Sequence, residues 1–235
     1  GTFADFGVFS FERSKRLPAF RGAAIVVNNE RMVDPEVFES HLAVPMKDRL
    51  PVRELLFSLI FNLATQPSVY GRFTVHRLLA GHRSTSSLKK AETLAAAHNT
   101  PFFNRTFHAY QADLVLRALN RWDAIGQHIE NLVELYKRTF ESTSVRTFIT
   151  GNCDEKALLR FPIMLPGIER GEILRRALRC GLYLETNYES PLPPKSEHAK
   201  YPNACWAAEN VVLLPLYRRL SLEAAETIGR RVVGI

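Results

Sequence analysis

Lys15 stands just past a run of strand-favouring residues, Phe6, Val8, Phe9 and Phe11, and five places after the hydroxyl of Ser10. A lysine amine mounted at the end of a strand can form and exchange a Schiff base with an aldehyde cofactor. The phosphate tail of such a cofactor needs hydroxyls, backbone N–H groups and positive charge close by. Ser10, Ser14, Arg13, Arg16 and Arg21 offer the side-chain part of that set. By itself the pattern is weak, because a lysine after a strand is ordinarily a solvated cation.

Two short strands must carry this loop. Asp5–Phe11 and Ala23–Asn28 read as strands joined by a basic connection containing Pro18 and Gly22. Residues 35–98 read as largely helical: Leu55, Leu56, Leu59, Ile60 and Leu63 recur at helical spacing ahead of Pro67. Basic residues follow at Arg72, His76, Arg77, His82, Arg83, Lys89 and Lys90.

From Phe107 to Phe140 apolar residues step by three or four, through Tyr110, Leu114, Ala118, Trp122, Ile125, Ile129, Leu132 and Tyr136. That spacing predicts a single helix which, at ~1.5 Å per residue, would cross a whole domain. Beyond Gly151 strand and helix alternate. RFPIMLP and LYLETNY read as strands, and ERGEILRRALRCG as a helix stopped at Gly181. NACWAAENVV reads as a helix running into LLPL, and Ser221 caps a last helix with Glu223 in its first turn. The fold class is α/β.

The chain has 235 residues, 46% hydrophobic and 23% charged, which suits a soluble globular protein of one large or two modest domains. Lys and Arg outnumber Asp and Glu by 31 to 24, a net +7 that favours anionic partners without choosing among them. Cys153, Cys180 and Cys205 are odd in number and widely spaced, against a disulfide framework or zinc site. The seven histidines form no ligand cluster, so no metal is expected. No secretory signal precedes the first strand, and LLFSLIFNLA falls short of the ~20 residues a bilayer span needs. A cytoplasmic protein is expected.

The segment GTFADFGVFSFERSKRLPAFRGAAIVVNNERM resembles the lysine segment of the DegT/StrS family of pyridoxal-phosphate-dependent sugar aminotransferases, enzymes of the aspartate-aminotransferase-like fold type I. Ser10-Phe11 and Lys15 fall on that family's Ser-Phe-x-x-x-Lys without a gap. FFNRTFHAYQADLVLRALNRWDAI is similar to its Asn-x-Arg segment, with Asn104 and Gln111 at the family's separation. Tyr-Pro-x-Ala, Leu-Pro-Leu and the final helix follow in the order of its small C-terminal domain. A long insertion, from about Asp34 to Thr100, interrupts the match. Three positions depart from the pattern: Ala23 replaces a second glycine after Gly22, Arg105 sits one place early, and Asn187-Tyr188 stands where a histidine-tyrosine pair is usual.

The resemblance implies pyridoxal 5'-phosphate as cofactor, Lys15 as its Schiff-base and catalytic lysine, and Ser10 as a phosphate ligand. Asn104 would reach the cofactor phosphate of a neighbouring subunit, so a homodimer with a shared active site is expected. It also implies amino transfer, with glutamate as usual donor, to a nucleotide-linked keto-sugar in polysaccharide or antibiotic sugar biosynthesis. The implied plan is the end of the large domain in 1–34, a basic helical insertion in 35–104, a long linking helix in 105–150 and a small α/β domain in 151–235. The family's lysine lies near mid-chain, so the sequence reads as a C-terminal portion, inactive alone. Asp5, so close to Lys15 along one strand, is a poor substitute for the aspartate that pairs the pyridine nitrogen.

Two rivals stand beside this reading. A dehydratase-type member would keep the cofactor but replace the lysine, which Lys15 opposes. A degenerate homologue would be a basic binding module, although no nucleic-acid partner is expected. The insertion would also permit peripheral contact with an acidic membrane, a secondary reading.

Overall fold

Strand β1 (Phe6–Ser10) pairs antiparallel with β2 (Ala23–Val27), Phe6 opposite Val27 and Ser10 opposite Ala23. Both strands lie within a residue of the bounds that sequence alone predicts. The computed structural model describes residues 3–12, 15–19, 22–34, 52, 56, 59–60, 63, 107–149, 153–186, 190–191 and 194–235. The chain divides into two compact units, Gly1–Val69 with Ser84–Trp122 and Tyr70–Arg83 with Asp123–Ile235.

In the first unit the hairpin accompanies helix α1 (Ala109–Leu119). Phe11, Ala19 and Val115 are buried together, with Leu17, Ala24 and Phe107 packed against them. The periodic stretch from Phe107 to Phe140 is not one helix. The Asn120 N–H still reaches the Leu116 carbonyl at 3.0 Å, but Arg121 bonds only three residues back, to Ala118 at 3.1 Å. Helix α2 (Trp122–Phe140) then starts afresh. Asn120 favours such a break, since its amide competes for backbone partners. Ala118, Trp122 and Ile125 keep steps of four and three across it, so spacing alone conceals it. The boundary between the two units falls at the same place, after Trp122.

The second unit contains β3 (Arg146–Thr147), β4 (Arg160–Met164), α3 (Arg170–Arg179), α4 (Pro202–Asn210), β5 (Val212–Pro215) and α5 (Leu222–Val233), besides most of α2. Its sheet runs β3-β4-β5, antiparallel throughout. Alternation on β4 sends Phe161 and Ile163 inward against Leu132 and Tyr136 of α2, Ile173 of α3 and Val232 of α5. The Tyr136 and Phe161 rings lie 5.2 Å apart. Burial, with a smaller push from Tyr217, raises the Tyr136 phenol well above its ordinary range. Its hydroxyl donates to the Pro215 carbonyl at 3.4 Å. A Cβ on Gly229 would come within 2.9 Å of the Thr139 methyl, so α5 approaches α2 closely there.

Helix α3 ends as expected, with Gly181 at φ +73. The Ser221 hydroxyl accepts the Ala224 N–H at 3.1 Å and starts α5. The described residues 182–186 of LYLETNY, however, form no strand; among them Glu185 pairs, by a bridge to Leu213 on the outer edge of β5. Leu182 stays tied to the end of α3 through its N–H to Ala177, at 2.8 Å. Leu182 and Leu184 are buried and Tyr183 exposed, the alternation of a strand without its ladder. The Glu185 carboxylate instead takes the Arg160 guanidinium on two oxygens, at 2.5 and 3.1 Å.

Candidate active site

The loop after β1 is closed at its base by the backbone. Phe11 donates its N–H to the Gly22 carbonyl at 2.8 Å and accepts the Ala19 N–H at 2.9 Å. Its ring is buried, 5.4 Å from that of Phe107. Gly22 is required here on two counts. Its φ is +102, and a Cβ would sit 2.3 Å from the Phe107 ring.

Lys15 rises from this base. Its backbone N–H closes a turn onto the Glu12 carbonyl at 2.9 Å, and the residue is exposed. Ser10, the last residue of β1, is also exposed, and its Oγ accepts the Glu12 N–H over a long 3.4 Å. A hydroxyl that accepts in this way still has its own proton to donate to an anion. Both residues thus stand at the loop end of the hairpin. Arg13, Ser14, Arg21 and Asn104 lie outside the described residues, as do Arg105, Asn187 and Tyr188.

One residue has a role that its spacing alone does not reveal. The Gln111 Nε2 donates to the Ala19 carbonyl at 2.8 Å, tying helix α1 to the base of the lysine loop. Its Oε1 accepts the His108 N–H at 3.2 Å, while His108 Nδ1 accepts the Tyr110 N–H at 3.1 Å. This reciprocal cap holds the amide in place. His108-x-x-Gln111 ahead of an apolar run is the sequence signal that could have found the cap. Nothing in the sequence signals its reach to Ala19.

Pyridoxal phosphate asks for an amine at its aldehyde carbon, donors at its phosphate and an acid at its ring nitrogen. The exposed Lys15 and Ser10 fit the first two requirements. Asp5 does not fit the third. Its Oδ1 accepts the Asn29 amide at 2.8 Å, and it precedes β1, at the opposite end of the strand from Ser10. Among the described residues no group of three His, Cys, Asp or Glu could hold a metal ion.

The profile of the DegT/DnrJ/EryC1/StrS aminotransferase family matches residues 79–233. Solved structures share the fold along the entire chain. Spr1654 of Streptococcus pneumoniae in its PMP form, assigned by name to the sugar aminotransferases, is 19% identical over 100% of this chain and 53% of its own, with a TM-score of 0.63. The aminotransferase TlmJ of Streptoalloteichus hindustanus is 19% identical over 100% and 52%, at 0.61. PseC of Helicobacter pylori, an aminotransferase of pseudoaminic acid biosynthesis, is 18% identical over 100% and 54%, at 0.59. The chain therefore spans about half the length of these proteins. Comparison with curated protein sequences yields no match. Lys15 lies outside the residues matched by the family profile but inside the structural superposition.

Proposed function

The chain belongs to the DegT/DnrJ/EryC1/StrS aminotransferase family, and from that membership we propose that its Lys15 loop is the cofactor-lysine segment of a pyridoxal-phosphate sugar aminotransferase. The observation that carries this reading is the clamp at the loop's base: Phe11, Ala19, Gly22 and Gln111 fix the mount from which Lys15 projects. When bound, pyridoxal phosphate supplies an aldehyde that captures amines and a ring that spreads carbanion charge. Lys15 Nζ would hold the aldehyde carbon, and as a neutral amine on a short tether it would be placed to move a proton at the substrate carbon. The Ser10 hydroxyl would hold a phosphate oxygen, and Asn104 would do so in a neighbouring subunit of a homodimer.

Glutamate as donor and a nucleotide-linked keto-sugar as acceptor belong to the same proposal. The sugar aminotransferases among the structural relatives support a sugar acceptor; its nucleotide and the glutamate donor are what the family resemblance implies. Pyridoxal phosphate added to the complete gene product should produce the visible band of lysine-bound pyridoxal. Lys15→Ala should abolish the band and leave the circular dichroism unchanged. A band that survives Lys15→Ala would overturn the assignment. Absence of the band, together with steeply salt-dependent DNA affinity, would favour the basic binding module.

A further inference from the structure

Ala19 is fully buried, and both of its backbone groups are engaged: its N–H donates to the Phe11 carbonyl at 2.9 Å, and its carbonyl accepts Gln111 Nε2 at 2.8 Å. Phe11 and Ala19 are thus the two feet of a loop, and Lys15 stands midway, four residues from each. One foot is held by the hairpin, through the Phe11 N–H and the Gly22 carbonyl. The other is held by the third residue of helix α1.

Residue type shows which half of the Gln111 amide serves the loop. The helix cap needs only an acceptor, since Gln111 Oε1 takes the His108 N–H. Glutamate supplies that acceptor too, and its charge suits the positive first turn of a helix. Yet α1 has no acidic residue in its first turn. A carboxylate lacks the donor that the Ala19 carbonyl requires, whereas one glutamine head carries donor and acceptor together. The acceptor half serves the helix and the donor half serves the loop.

We propose that Gln111 is a positioning residue that couples capture of the cofactor by Lys15 to the order of the first turn of α1. The proposal rests on the aminotransferase reading and adds a linkage to it. In the capture the amine nitrogen bonds the aldehyde carbon, and the two amine protons leave with the aldehyde oxygen as one water. A loop held at both feet presents the amine in fewer arrangements, so less freedom is lost when that bond forms. Because one amide joins loop and helix, whatever fixes the loop also fixes the start of α1, and the reverse holds by linkage.

The complete gene product is titrated with pyridoxal phosphate, followed by the visible band of lysine-bound pyridoxal, and amide exchange is measured with and without cofactor. In the unaltered protein the cofactor should slow exchange at Ala112, whose N–H makes the first helical bond to His108. Gln111→Glu keeps the cap and breaks only the tie to Ala19. Its Ala112 should exchange normally without cofactor, its half-saturating pyridoxal phosphate concentration should rise about tenfold, and the cofactor should no longer slow Ala112. Gln111→Leu loses both bonds and should exchange faster at Ala112 even without cofactor. Unchanged cofactor binding in Gln111→Glu, or slowing of Ala112 that survives in it, would overturn the coupling and leave the aminotransferase reading standing. Equal loss of protection in both variants before cofactor is added would make Gln111 a helix cap alone and overturn the coupling too. No band on Lys15 in the unaltered protein would overturn both.

Discussion

Phe161, in the second unit, is fully enclosed and packs against the rings of Tyr136 and Phe140. Phe6 and Phe9, on β1 in the first unit, stay more than 40% exposed, and Val8, Ile25 and Val26 beside them are exposed too. The second unit buries its apolar surface between its antiparallel sheet and the helices α2, α3 and α5. The described part of the first buries Phe11, Ala19, Val115 and Ala118, and otherwise relies on local clamps. A two-stranded ribbon is marginal by itself, so backbone bonds at its base matter more than burial does. The lesson concerns the site. The described residues around Lys15 bury little, so its position depends on a few directional contacts. The stability of the other unit depends on volume and packing.

The largest effect should come from Phe161→Ala, which removes a central core ring and should cost about 3–5 kcal/mol. Hydrogen exchange should record that loss in the second unit and leave Ala19 protected. If protection at Ala19 falls equally, the units are one cooperative body and the contrast fails.

Gly22→Ala should do the converse. The positive φ and the clash with Phe107 together should cost about 1–3 kcal/mol or more, confined to the hairpin. Adding Phe107→Ala relieves the clash but not the backbone strain, so it should restore only part. Gln111→Leu strands the Ala19 carbonyl and should cost about 1–3 kcal/mol, measured as faster exchange in the first unit. An unchanged exchange rate would remove Gln111 from the clamp.

The pH response sharpens the comparison from the other side. An unfolded tyrosine ionises near pH ~10, whereas burial keeps Tyr136 protonated to higher pH. Its folded value is raised, so its contribution is whole below the unfolded value and is lost as pH rises through and beyond it. That loss amounts to about 1.4 kcal/mol per pH unit. Denaturant midpoints of the second unit should therefore fall in alkali, and Tyr136→Phe should flatten the fall. An identical slope in the variant would show that the phenol is not the titrating group.

Local chemistry made much of this legible in sequence. Strand formers around turn residues gave the hairpin, Gly181 stopped α3, and Ser221 began α5. Periodicity misled where it could not see hydrogen bonds. Apolar steps of three and four ran unbroken across Asn120, although the helix did not. Leu182 and Leu184 alternated like a strand, while among the described residues 182–186 the strand-like pairing is a single bridge at Glu185. At the site, Lys15 and Ser10 were marked by residue type and by a five-residue spacing. The clamp that Phe11, Ala19 and Gln111 form was not, although Phe11 and Gln111 stand in the matched motifs, because the Gln111–Ala19 bond joins residues 92 positions apart.

Borohydride reduction of the complete gene product in the presence of pyridoxal phosphate, followed by peptide mass mapping, addresses the Lys15 assignment most directly. The account predicts a pyridoxyl group on Lys15, lost from that peptide in Lys15→Arg. An unmodified Lys15 with the label on another lysine, or no label on the chain, would contradict it.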